Sequence, residues 1–146
     1  MAAITWTGGT GDFNTGSFWS GGTVPGTGDL AIVDASSGAA SIVLDGTGTV
    51  AGLTLDDPAA TITVSGALSL NSGVLNLQAG SLTVSGTLAN GTLIQDGGVL
   101  TISGPSAALL GVAVEGTLDL SNSGAIVDVT GLAQSGLKQI DIGANA

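Results

Sequence analysis

Between residues 62 and 121 one alternating phrase recurs: Ile62-Thr-Val-Ser-Gly66, Leu82-Thr-Val-Ser-Gly86 and Leu100-Thr-Ile-Ser-Gly104, with a looser fourth copy, Leu118-Asp-Leu-Ser121. Apolar positions alternating with polar ones mark a strand that buries one face. The register extends upstream to Ile42-Val-Leu-Asp-Gly46 and downstream to Ile140-Asp-Ile-Gly143, so the copies start 20, 20, 18, 18 and 22 residues apart. A repeat this short, rich in glycine and β-branched residues, has no room for a helical hairpin and predicts one coil of a β-solenoid.

Stacking the copies predicts two inward columns. One is Ile42, Ile62, Leu82, Leu100, Leu118 and Ile140; the other is Leu44, Val64, Val84, Ile102, Leu120 and Ile142. Val43, Thr63, Thr83, Thr101, Asp119 and Asp141 lie between them and point outward. A slip of one residue inside a strand turns the apolar face to solvent, so the uneven spacing belongs to the turns. Leu53-Thr-Leu55, Val74-Leu-Asn-Leu77, Thr92-Leu-Ile94 and Val112-Ala-Val114 supply a second face, and Ala67-Leu-Ser-Leu70 and Thr87-Leu-Ala89 suggest a third. Asp56-Asp57-Pro58 reads as a corner, since proline has no N–H for a ladder. The expected fold is all-β: a right-handed parallel β-helix of about six triangular coils of 18–22 residues, stacked to roughly 29 Å at the spacing of neighbouring strands.

Residues 1–29 break the pattern. They hold all four aromatic residues, Trp6, Phe13, Phe18 and Trp19, among dense turn signals such as Gly8-Gly9, Gly21-Gly22 and Pro25-Gly26. The first coil of a solenoid exposes an apolar end and unpaired strand edges, and bulky rings folded over that end close it. The expected organisation is a single domain with a cap segment at 1–29 and a solenoid at 30–146. A second use of the rings is as a platform for sugar stacking.

Composition narrows the function. Against 11 acids stand one base, Lys138, and no histidine, for a net charge of −10. Such a surface repels nucleic-acid phosphates and anionic lipid. The longest near-apolar run, 107–114, is far short of the roughly 20 residues of a spanning helix, and Met1-Ala-Ala-Ile4, without a basic start or a long apolar run, is not expected to act as a secretory leader. No membrane insertion and no nucleic-acid partner are expected. The absence of cysteine removes disulfides and thiolate metal sites. The scarcity of Lys and Arg suits an exposed, protease-rich setting, and the expected location is extracellular or at the cell surface.

Three phrases carry a family resemblance: Trp6-Thr-Gly-Gly-Thr-Gly-Asp12, then Phe18-Trp19-Ser-Gly-Gly, then Pro25-Gly-Thr-Gly-Asp29-Leu-Ala-Ile. With the Leu-x-Val-x-Gly phrases behind them, they resemble the opening of large bacterial surface proteins that carry autotransporter-associated β-strand repeats. The resemblance covers nearly the whole chain. It implies a right-handed β-helix at the cell surface, and a chain that is either a piece of such a passenger or a small relative exported by another route.

Catalysis is not expected. Nucleophilic triads need a base such as histidine, and a lyase of this architecture needs a basic residue beside clustered acids. Paired carboxylates suit glycoside hydrolysis, but the adjacent Asp56 and Asp57 point oppositely in a strand. Asp12, Asp29 and Asp34 lie in or near glycine-rich loops and are candidate calcium ligands, since calcium takes oxygen donors; the plainer reading is that each caps a turn. Phe13 occupies the position where a Gly-Gly-x-Gly-x-Asp calcium repeat has its aspartate. An ice-binding face needs Thr-x-Thr in register on every coil, which Thr47-Gly-Thr49 and Thr61-Ile-Thr63 do not provide.

Two functions follow. The first is a structural protein that stacks head to tail on copies of itself into a filament or surface layer, with Trp6, Phe13, Phe18 and Trp19 at one end and Ile140 and Ile142 at the other as its assembly residues. The second is an adhesion module whose side faces meet a glycan, a protein or a host surface.

Overall fold

The computed structural model describes residues 2–103, 107–120 and 137–142. The described strands are β1 (Ala3–Thr5), β2 (Gly9–Asp12), β3 (Leu30–Asp34), β4 (Ala40–Leu44), β5 (Thr47–Thr49), β6 (Gly52–Val64), β7 (Ala67–Ser69), β8 (Val74–Val84), β9 (Thr87–Gln95), β10 (Val99–Ile102), β11 (Ala108–Leu120) and β12 (Leu137–Ile142). Among the described residues there is no α-helix, only three short 3-10 turns. Every pairing between these strands is parallel. The chain is an all-β solenoid of stacked coils.

Each turn feeds three ladders. The first runs through β1, β3, residues 52–56 of β6, 74–77 of β8, 92–95 of β9 and 112–115 of β11. The second runs through β2, β4, the end of β6, the end of β8 and β10. The third joins β5, β7, the start of β9 and the start of β11. Read in chain order, residues 30–110 complete about four turns.

The inward columns stand in the expected register. Ile42 pairs with Ile62, Ile62 with Leu82, and Leu82 with Leu100. Leu44, Val64, Val84 and Ile102 follow in the same way. All eight are buried, and Thr63, Thr83 and Thr101 between them are half-buried on the outer surface. Farther on, Leu118 pairs with Ile140 and Leu120 with Ile142. The other two faces add Leu53, Leu55, Leu75, Leu77, Leu93, Leu68 and Leu88 to one aliphatic core. Full burial of each such side chain contributes about 1.5–3 kcal/mol.

The recurring Ser-Gly has a geometric cause. At the corner after the second ladder, the N–H groups of Ser65 and Gly66 both donate to Leu44 O, at 3.0 and 2.9 Å, and those of Ser85 and Gly86 both donate to Val64 O at 2.9 Å. A Cβ on Gly86 would sit 2.0 Å from the carbonyl oxygen of Gly66, and one on Gly66 equally close to that of Gly46. The coils approach each other too closely there for any side chain.

Three features depart from the pattern legible in sequence. Residues 1–29 enter the ladders: β1 pairs with β3 and β2 with β4. Thr47-Gly-Thr49 is a strand of the third ladder. The Asp56-Asp57-Pro58 corner lies inside one long strand, β6, whose ladder to β8 breaks between Asp56 and Thr61. Asp57 is 2% exposed there; its Oδ1 accepts the Ala59 N–H at 2.9 Å and its Oδ2 has no hydrogen-bond partner in the described chain.

Two substitutions test the register. Leu100→Asp puts a carboxylate against Leu82 inside the core and is expected to cost about 4 kcal/mol or more, melting the stack by circular dichroism; an unchanged melting temperature contradicts the pairing. Gly86→Ala is expected to cost about 1–3 kcal/mol in denaturant titration, an overpacking penalty at a buried corner where the new Cβ meets the Gly66 carbonyl of the neighbouring coil.

Candidate functional site

The N-terminal end of the stack is built around its rings. Trp6 stacks on Phe18 with centroids 4.9 Å apart and planes 7° from parallel. Trp19 meets Trp6 and Phe13 edge-on, each at 5.0 Å. The Trp19 indole N–H donates to Phe13 O at 2.7 Å, so its polar atom is satisfied inside the cluster. Trp6, Phe13 and Trp19 are buried, and only Phe18 keeps partial exposure.

The rings take up space that the first coil leaves empty. Gly9 and Gly11 pair with the inward positions Ala40 and Ile42, yet carry no side chain. The Phe18 ring lies where a Cβ on Gly11 would be. Phe13 continues past β2, its N–H donating to Val43 O at 2.8 Å, and its ring reaches the side of Gly48 in the next coil. The aromatic cluster therefore serves as the inward layer of this coil. Trp6, Phe13 and Trp19 pack their faces and edges against one another inside the coil, and Phe18 is the ring of the four that stays half-exposed. The reason is packing: a glycine-rich strand leaves a void that large rings fill.

The two outer edges of this coil differ. The chain folds back across β1: Thr5 N–H donates to Ser20 Oγ at 3.0 Å, and Thr7 N–H to Phe18 O at 2.7 Å. Trp6 and Trp19 form an isolated antiparallel bridge in the same place. Ser37, a buried hydroxyl, ties the next coil down by donating to Trp6 O at 2.7 Å. β2 has β4 on one side and no strand on the other among the described residues. Because Phe13 N–H points to β4, alternation directs the N–H groups of Thr10 and Asp12 to the open side. At the far end, β12 has β11 as its one described strand partner. The side chains of Ile140 and Ile142 lie outside the described residues.

The candidate calcium ligands stand apart, each in its own turn. Asp12 Oδ1 accepts the Asn14 N–H at 2.7 Å. Asp29 accepts the N–H of Gly26 at 2.9 Å and that of Ala2 at 3.4 Å. Asp34 accepts the N–H and hydroxyl of Ser36. Among the described residues no three acidic, histidine or cysteine side chains gather in a geometry for a metal ion. Asp12 and Asp34 at strand ends and Asp57 at the ladder break inside β6 share one device, a carboxylate capping the N–H two residues on. The sequence signal for it is an aspartate at the end of an alternating run, which also marks the buried Asp57. Ser37 has no such signal. No described helix is long and apolar enough to cross a membrane.

The Ser36 hydroxyl, and then its N–H, hold the Asp34 carboxyl below the ordinary aspartate value. Its contribution to stability is complete above the unfolded pKa and is lost as pH falls through the lower folded one. Ser36→Ala is expected to raise the Asp34 pKa toward the ordinary value in an NMR titration; an unmoved titration curve contradicts the assignment. Comparison with known protein families, curated proteins and solved structures yields no match.

Proposed function

We propose that this is a non-catalytic structural protein of the extracellular space or cell surface, which assembles head to tail through its two outer strands, β2 and β12. The observation that carries this reading is a pair of outer strands with one described strand partner each, β2 against β4 in the first coil and β12 against β11 at the far end. Unpaired parallel edges recruit another chain, and addition of one coil on the next repeats the bonding already used inside the chain. A contact between unlike ends does not close on itself unless it makes a ring, so it extends into a fibre. In this reading the solenoid is right-handed and triangular, the hand almost universal for parallel crossovers. It runs to about six coils from Leu30, with 112–120 in the fifth and β12 in the sixth. The aromatic cluster is its cap over β1, and Phe18, the partly exposed ring, borders the open β2 edge where a neighbour's Ile140 and Ile142 arrive. Neither a cofactor nor calcium is required.

The lack of histidine, the single base and the dispersal of the acids into turn caps support a structural role over a chemical one. The alternative, an adhesin-like module that binds glycan or protein on its side faces, is favoured by the uncharged outward column of Thr63, Thr83 and Thr101.

The test is sedimentation velocity with negative-stain imaging over a range of concentrations. Wild type is expected to form elongated species that grow with concentration. Thr10→Pro at one end and Ile142→Pro or Ile140→Lys at the other are expected to abolish them while circular dichroism stays folded. A wild type that remains monomeric at high concentration overturns head-to-tail assembly and leaves the adhesion module.

A further inference from the structure

The turn from the third ladder to the first carries a chemical motif that assembly does not use. At this corner Asn90 adopts a left-handed backbone (φ 61°) and is exposed. Its Nδ2 donates to Ser69 Oγ at 3.3 Å. Gly91 follows, where a Cβ would fall 2.5 Å from that of Leu70, and Thr92 opens the first-ladder strand as a partner of Val74. Val74 is an exposed outward position, so Thr92 stands on the outer surface as well. Asn90-Gly91-Thr92 is the chain's single Asn-x-Ser/Thr triplet, the acceptor pattern for asparagine-linked sugars.

We propose that Asn90 is an N-glycosylation site. The partner is a transferase that reads Asn-x-Thr, and the donor is a sugar carried on a phosphate ester. In the transfer, a bond forms between the anomeric carbon of the sugar and Asn90 Nδ2. The anomeric C–O bond to the phosphate breaks, the phosphate-bearing carrier leaves with the bonding pair, and one amide proton passes to a base of the transferase. No oxidation or reduction occurs.

The corner suits the product. A glycosylated asparagine keeps one Nδ2–H, so the donation to Ser69 Oγ survives. A sugar there projects from an edge between two faces, leaving the ladders and both stack ends clear. The previous coil has an asparagine at the equivalent corner, Asn71, also exposed and left-handed (φ 47°), but Gly73 stands where the triplet needs a hydroxyl. Asn71 is therefore a built-in control for exposure without the motif.

The experiment has two arms, both on the full chain. In one, the chain is exported from cells that hold a membrane oligosaccharyltransferase and a lipid-linked donor; in the other, the purified folded chain is incubated with a soluble N-transferase and a nucleotide-activated hexose. A parallel sample carries an added Asn-Gly-Thr tail after Ala146 to show that each system is active. The expected result is one added glycan, mapped by peptide mass spectrometry to Asn90 and absent from Asn71, with an unchanged melting temperature. Asn90→Gln and Thr92→Val are expected to lose it, and Thr92→Ser to retain it. Modification in the exporting cells alone means the triplet is read before β9 docks; modification of the folded chain means the finished corner is read; either supports the site. A modified tail beside an unmodified Asn90 in both arms overturns it.

Discussion

The whole architecture depends on the parallel hydrogen-bonded register between successive coils. Once Ile42, Ile62, Leu82 and Leu100 are aligned, each strand's backbone groups find partners in the coils on either side, and the aliphatic side chains stack into continuous columns. Nothing else in the chain has comparable reach. Among the described residues there is no helix to brace the stack, and the sequence has no cysteine. The register is therefore protected from slippage by the period-two pattern itself, because a shift of one residue exposes every inward side chain of a strand at once. The Ser-Gly corners protect it a second time. Their paired N–H donations to a single carbonyl one coil away set the rise between coils, and the missing Cβ permits it.

A stack held by neighbour-to-neighbour contacts has its weak points at its ends, and the two faces of the first coil handle this differently. Along β1 the chain doubles back, so that Ser20 and Phe18 accept N–H groups that would otherwise point into solvent. Beneath β2 the inward positions are glycines, and Phe18 and Phe13 supply the missing apolar volume from elsewhere in the sequence. The outer edge of β2 has no strand partner among the described residues. The proposed assembly follows from this asymmetry: one edge is closed by hydrogen bonds, the other is backed by packed rings yet left with free ladder groups.

The acids play a part in the fold that their number conceals. With almost no basic partners, they cannot be neutralised by ion pairs, and several instead accept N–H groups of their own turns. Such caps shape corners and leave the carboxylates dispersed, which keeps like charges apart. Asp57 is the costly exception, since its turn bond satisfies only one of two buried oxygens. It stands where the chain uses Asp-Pro in a corner whose counterpart in the next coil is Gly80, with φ 83°.

What the sequence determined by itself is the repeated part. Alternation over four or five residues is a local property, and its recurrence every 18 to 22 residues was enough to align Leu82 with Leu100 and Leu118 with Ile140, and to identify the other two faces from their Leu-x-Leu phrases. Only the tertiary structure decided what happens where side chains are missing or singular. β1 and β2 were hidden because a strand such as Gly9–Asp12 has no alternating apolar residues; it exists because β4 offers it a partner. Thr47–Thr49 was hidden for the same reason, since its inward residue is Gly48 and the space beside it is filled by Leu44, Leu68 and Phe13 from three different segments. The fate of the rings was equally illegible: composition placed them near one end, but whether they face solvent or core depends on a void that only the stacked first coil creates.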